Sequence, residues 1–327
     1  MKDRRSFIGT VARGLLAAPF AVYAQQAVKT ARIGYLGNTN PTQHAPSLVA
    51  FRQGLRDLGW VEGQNLSIEY RWADGDLARL PALAADFVKL RVDVIVLSGA
   101  AAIQAAMQAS SAIPVVAAIM PDPVALGFAA SLARPGGNLT GLAVQFEDLV
   151  TKQLQLLKET VPKASRVAIL LPTTAFTSTV RKPAEAAARA LGLAARMIEI
   201  RDVSDFDGAF QTARSEGADV LLALPSPAFN RHRVRLAELA AKHRLPALYE
   251  NAEYVEDGGL MSYGPNYPDV FRRAARYVDR ILKGARPADL AVELPERFEL
   301  VINLKTAKAL GLSIPPSMLL QTTRVVQ

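Results

Sequence analysis

Short apolar runs alternate with amphipathic stretches from Ala31 almost to the end of this chain. Residues 31–37 (A-R-I-G-Y-L-G) predict a strand that closes in the polar loop Asn38-Thr39-Asn40-Pro41-Thr42. Residues 47–58 carry Leu48, Phe51, Leu55 and Leu58 at helical spacing, and Gly59 stops them. Residues 66–72 alternate as an edge strand does, and residues 77–90 predict a second helix. Residues 92–101 read V-D-V-I-V-L-S-G-A-A. That short, β-branched, unalternating run suits a parallel strand buried on both faces. The Ser98-Gly99 step after it opens a helix through Met107 and Ala109. A fourth strand, 113–119, ends at Met120-Pro121-Asp122-Pro123, and residues 136–144 turn into a last strand. Strands alternating with helices predict an α/β fold with a parallel sheet and right-handed crossovers.

The cycle then repeats. Helices at 149–160, 183–191, 206–215 and 233–243 alternate with strands at 166–171, 195–200, 219–224, 245–250 and 259–264. The matches keep chain order: A-R-I-G-Y-L-G with S-R-V-A-I-L-L, V-D-V-I-V-L-S-G with A-D-V-L-L-A-L-P-S, A-I-P-V-V with R-L-P-A-L, and G-G-N-L-T-G with G-G-L-M-S-Y-G. Similarity at one long period is duplication of a whole lobe. Two Rossmann-like lobes place the carboxyl ends of two sheets across a cleft, with hinge closure as the natural motion.

Composition adds limits. At 327 residues two domains are the prior, and no cysteine means no disulfide, lipid-anchored cysteine or thiolate metal site. The formal charge is +8, of which residues 1–24 supply +3 through Lys2, Arg4, Arg5 and Arg13 against Asp3. Those residues read as an export signal: a basic start, an apolar body, and Val22-Tyr23-Ala24 offering cleavage before Gln25. The Arg4-Arg5-Ser6-Phe7-Ile8 core is twin-arginine-like, though Asp3 and Gly9 depart from that pattern and leave the general secretory route open. Arg13 and Pro19 interrupt a segment already short for a membrane anchor.

No catalytic constellation is visible. His44, His232 and His243 have no spaced metal partner, and His44 reads as solvent-facing beside the first loop. There is no G-x-S-x-G, Walker A or G-x-G-x-x-G. No enzyme activity, cofactor or metal is expected. Arg231, Arg233 and Arg235, and Arg272, Arg273, Arg276 and Arg280, read as solvated helix faces, so no nucleic acid is expected either.

Several stretches carry a family likeness: P-D-P-V-A-L-G-F, S-L-A-R-P-G-G-N-L-T-G, G-G-L-M-S-Y-G-P-N, Y-V-D-R-I-L-K-G-A-R-P-A-D-L and F-E-L-V-I-N-L-K-T-A-K-A-L-G-L. With them the chain resembles the ABC-transporter substrate-binding family that includes tryptophan- and tyrosine-binding proteins. The resemblance implies a type I periplasmic binding protein, two α/β lobes joined by hinge strands, handing a small solute to a permease in the inner membrane. The expected organisation is 1–24 signal peptide, 25–145 first lobe, 146–262 second lobe, and 263–327 completing both. A free periplasmic monomer is expected. The alternative is a ligand-sensing module feeding a signalling receptor.

Topology nominates the ligand contacts. In the first lobe these are Asn38, Thr39, Ser98, Gly99, Ala100, Ala101, Met120 and Asp122. In the second they are Thr173, Thr174, Ser178, Ser226, Pro227, Phe229, Asn230, Glu250, Asn251 and Tyr263. The N–H groups of Ala100 and Ala101 with the Ser98 hydroxyl suit a carboxylate. Asp122 or Glu250 suits an ammonium, and Phe229 and Tyr263 a flat side chain. Asp122 and Ser226 are equally readable as helix caps. An amino acid or related zwitterion fits this set.

Overall fold

The computed structural model describes residues 30–173 and 175–327, apart from the side chains of Ala175, Phe176 and Ser178. The export signal expected at 1–24 lies outside the described residues. The first half runs β1 (Ala31–Gly37), α1 (Ala45–Asp57), β2 (Leu66–Trp72), α2 (Leu80–Leu90), β3 (Val94–Ser98), α3 (Ala100–Ala109), β4 (Val115–Met120) and β5 (Leu139–Ala143). These strands form a sheet in the order β2-β1-β3-β4-β5, with every pair parallel.

The chain continues through α4 (Phe146–Thr160), β6 (Arg166–Pro172), α5 (Ala175–Ala190), β7 (Ala194–Ile200), α6 (Asp205–Ser215) and β8 (Val220–Ala223). Next come α7 (Pro227–Arg231), α8 (Arg233–Lys242), β9 (Ala247–Tyr249), α9 (Ala252–Glu256) and β10 (Met261–Pro265). It ends with α10 (Tyr267–Leu282), β11 (Phe298–Asn303), α11 (Leu304–Leu310), α12 (Pro316–Gln321) and β12 (Arg324–Val326). The second sheet has the order β12-β11-β10-β9-β8-β6-β7. Its parallel part, β7-β6-β8-β9-β10, repeats the order of the first sheet strand for strand. β11 enters antiparallel against β10, and β12 follows it in parallel at the sheet edge.

The apolar runs fold as their composition requires. Val94 and Val96 of β3 pack on one face with Phe51 and Leu55 of α1, while Ile95 and Leu97 pack on the other with Phe87 and Ile103. A strand covered on both faces has no polar side to show. The aspartate that opens each matching run has one job. Asp93 accepts from the Arg32 N–H at 2.8 Å, and Asp219 Oδ2 accepts from the N–H groups of Ser165 and Arg166 at 2.7 and 3.0 Å. Each carboxylate ties its strand to the start of the neighbouring one.

Three segments cross between the sheets: residues 144–145 into α4, Asn266 into α10, and residues 294–297 into β11. They are stitched together, with Ala143 N–H donating to Glu293 O at 2.8 Å and Asn266 N–H to Arg297 O at 3.0 Å. The second crossing returns α10 to the first lobe, where it packs along α1 and under β4 and β5. Gly54 permits this closeness, because a Cβ there would stand 2.7 Å from the Arg272 carbonyl oxygen. Trp60 Nε1 then donates to Asp279 at 2.9 Å across the same interface.

One helix differs from its prediction. α5 begins at Ala175, two turns before Pro183, which sits in its interior. A proline is favoured at the first turn of a helix, and that preference misplaced the start. None of the described helices is long and apolar enough to cross a membrane.

Candidate ligand-binding cleft

The carboxyl ends of both parallel sheets open on one cleft, with a cavity volume of about 450 Å³. This is where open α/β sheets leave backbone groups and loop side chains uncovered. From the first lobe, β1 delivers Asn38 and Thr39, and β3 delivers Ser98 and the Gly99–Ala101 turn. Gly99 has φ +83°, which a glycine adopts without strain, and it starts α3 with its amide groups at the cleft wall. Asn38 is held in place by donating Nδ2–H to the Ser98 carbonyl at 2.7 Å. From the second lobe, β6 delivers Thr173, β8 and α7 deliver Ser226, Pro227 and Asn230, and β9 delivers Glu250 and Asn251. Ser226 also caps α7, its hydroxyl accepting from Ala228 N–H at 3.2 Å.

Four nominated residues do not reach the cleft. Met120 ends β4 with its side chain in the apolar layer between that sheet and its helices, fully buried. Asp122 is exposed and caps the following turn, accepting from the N–H groups of Val124 and Ala125 at 2.9 and 3.1 Å. Phe229 points inward from α7 and packs edge-on to Phe206 with ring centres 5.7 Å apart. Tyr263, in β10, stacks instead on Phe298 at 5.8 Å. A short amphipathic turn exposes its polar residues and buries its ring, which keeps Ser226 at the cleft as expected and takes Phe229 away from it. Thr174 and the side chain of Ser178 lie outside the described residues.

Other wall residues went unnominated. His44, read as solvent-facing, lines the cleft within a ring cluster. It lies edge-on to Tyr35 and Phe271 and tilted against Trp72. It shares a 2.8 Å hydrogen bond with the Thr39 hydroxyl, and desolvation lowers its pKa to about 4, so it is neutral at physiological pH. Gln43, Phe128, Phe146 and Glu253 also line the wall. Tyr267 and Phe271 arrive on α10, from the far side of a crossing. Spacing signals for these residues exist only in the amphipathic face of that helix.

Electrostatically the cleft is acidic. Burial pushes the Glu250 carboxyl up to about 7, Glu253 adds to the rise, and the hydrogen bond from the Tyr267 hydroxyl acts against it. Burial also raises Glu253 above the usual carboxylate range. No arginine or lysine is among the described residues of the wall.

The family model described as ABC transporter substrate binding protein matches residues 45–326. A tyrosine-binding protein of Clostridioides difficile is 25% identical over 282 residues, covering 85% of this chain and 81% of that protein. A solved conserved domain protein of Vibrio cholerae superposes with TM-score 0.85 at 27% identity, covering 91% of this chain and all of the other. A Streptococcus pneumoniae domain solved with L-Trp shares the fold, with TM-score 0.84 at 23% identity and the same coverage.

Proposed function

This chain belongs to the ABC transporter substrate-binding protein family, and from that premise we propose that it captures an amino acid in the cleft and delivers it to an inner-membrane permease. The observation that carries the reading is the make-up of the wall. A buried carboxylate, Glu250, comes from one lobe, and the amide groups at the start of α3 come from the other. An α-ammonium docks on Glu250 through charge-assisted hydrogen bonds. An α-carboxylate takes the Ala100 and Ala101 N–H groups and the Ser98 hydroxyl, helped by the positive end of the helix. Phe128, Phe146 and Phe271 give an apolar or aromatic side chain its surface.

Both lobes contribute, so the solute is enclosed only when they approach each other. Rotation about the three crossing segments is the motion that opens and closes them. The lobes on this reading comprise residues 25–145 and 146–262, with 263–327 shared. Residues 1–24 direct export, and the released chain works as a monomer in the periplasm, binding without turnover. The relative from Clostridioides difficile named for tyrosine supports an amino-acid ligand.

A thermal-shift series on the chain beginning at Gln25 tests this, with the twenty amino acids set against sugars, nucleosides and carboxylic acids. One group of amino acids raises the melting temperature, by an amount equivalent to about 2.7 kcal/mol at a hundredfold excess over Kd. If only sugars or nucleosides shift it, the amino-acid reading fails.

A further inference from the structure

The buried side-chain polar atoms left without a partner on the wall of the cleft are all of one sense. Four buried side-chain oxygens on it have no hydrogen-bond partner: Asn38 Oδ1, Gln43 Oε1, Asn230 Oδ1 and Asn251 Oδ1. All are acceptors, and no unpartnered buried side-chain donor occurs among the described residues of the wall. Two of the four are spared from local duties that would have used them. Asn38 is locked through its Nδ2, which leaves Oδ1 free, and Asn251 stands at the N-cap of α9 without capping it. An asparagine at that position ordinarily turns its oxygen onto the helix N–H groups, so its absence from that role leaves the acceptor for something else. Glu250 and Glu253 add two carboxylates on the same side as Asn230 and Asn251, and no cationic side chain of the wall answers them.

Buried acceptors without donors are costly unless the ligand supplies the donors. An ammonium brings three N–H donors and a positive charge, which match a wall that offers the Glu250 carboxylate and unpartnered amide oxygens. A carboxylate brings only acceptors, and finds on this wall a few N–H and hydroxyl groups.

We propose that the group recognised in this cleft is the amine, so that primary amines lacking a carboxylate are ligands in their own right, with Glu250 the residue that selects them. This rests on the amino-acid reading above and narrows it: the ammonium is indispensable and the carboxylate is not. Carboxylic acids lacking the amine bind weakly, because they bring a second set of acceptors against Glu250 and leave unpaired the Asn38 Oδ1, whose amide is fixed by its own hydrogen bond to the Ser98 carbonyl.

Isothermal titration at pH 8 of the chain beginning at Gln25 tests the proposal with matched trios. One trio is L-tyrosine, tyramine and 3-(4-hydroxyphenyl)propionate, and the other is L-leucine, isopentylamine and 4-methylpentanoate. In a trio whose amino acid binds, the amine is expected within about tenfold of its Kd, and the acid without nitrogen at least a hundredfold weaker. Glu250→Gln is expected to weaken amino acid and amine alike by at least thirtyfold. Unchanged far-ultraviolet circular dichroism and an undiminished melting temperature would establish that this variant is folded. An amino acid that binds while its amine does not overturns the proposal and leaves the amino-acid reading standing. So does a Glu250→Gln chain with unchanged affinity. If both trios are silent and the thermal-shift series yields another amino acid, that amino acid with its own amine and acid forms the deciding trio; if it yields none, both readings fail, because neither amine nor amino acid is then a ligand.

Discussion

Glu250 is a carboxylate placed where its charged form is disfavoured, and that cost is measurable without any ligand. Its carboxyl titrates near 7 in the folded chain against an ordinary 4.5. Tyr267 from α10 and Tyr254 and Glu253 from α9 surround it, and the cleft side offers no described arginine or lysine. Over that interval the folded chain holds a proton that the unfolded chain releases, so stability falls as pH rises from 4.5 and the full cost is present above 7. The difference corresponds to about 3 kcal/mol. Glu250→Gln, which cannot ionise, is expected to melt several degrees above the parent at pH 8 and near it at pH 4.5. A pH-independent difference between the two melting curves would count against the buried-acid account. Phe229 supplies the contrasting case. Packed wholly inside against Phe206, it belongs to stability, and Phe229→Ala is expected to cost about 3–5 kcal/mol in denaturant unfolding. Ligand affinity of the surviving folded chain should stay within a few fold of the parent.

Among the elements, β5 leads directly into the first crossing and depends on one glycine. Gly141 has φ +135°, and a Cβ there would stand 2.0 Å from the Ala117 carbonyl oxygen in β4. No rotamer relieves a clash with backbone, so Gly141→Ala is expected to abolish soluble expression or lower the melting temperature by about 4 °C or more, about 3 kcal/mol or more. A chain that melts normally would mean that β4 and β5 can separate at little cost. The paired aspartates of β3 and β8 show what element-level reading could and could not see. The repeat V-D-V and A-D-V was plain in the residues, yet each aspartate reads from sequence as a polar interruption. In the fold each is a register lock, with three donors converging on Asp219 Oδ2. Asp219→Ala leaves two main-chain N–H groups to water and should cost about 1–2 kcal/mol, read as a lower denaturant midpoint.

Across the whole molecule, the two lobes already touch at the cleft rim. The Arg231 guanidinium, at the end of α7 in the second lobe, donates to the Asp74 carbonyl after β2 in the first. Asp74 is itself paired with Arg79 at 2.7 Å, which keeps that loop in place beneath the arginine. If closure accompanies binding, this contact favours the closed form and its loss shifts the population towards the open one. Arg231→Ala is expected to raise the radius of gyration of the ligand-free chain in small-angle scattering and to weaken ligand binding. Identical scattering from parent and variant would show that the contact does not hold the lobes.

Much of this architecture was legible before folding was considered. Strand, turn and helix each leave a local mark, in unalternating β-branched runs, in glycine and proline steps, and in apolar residues three and four apart. The duplicated lobe followed from the same marks recurring in order, and the loops at the strand ends followed from topology alone. Sequence therefore determined the two lobes and the addresses of Asn38, Ser98, Ser226, Asn230 and Glu250. It could not determine which way a loop side chain turns, because that depends on what lies opposite. Met120 and Phe229 went inward since apolar layers were there to receive them, and Asp122 found main-chain N–H groups nearer than any ligand. Nor could it bring Tyr267 and Phe271 to His44, more than two hundred residues away along the chain. Only the return of α10 across the sheets did that, seated on α1 by the space at Gly54. The acidity of the cleft is likewise a tertiary property: Glu250 is an ordinary carboxylate until α9 and α10 pack around it and remove its water.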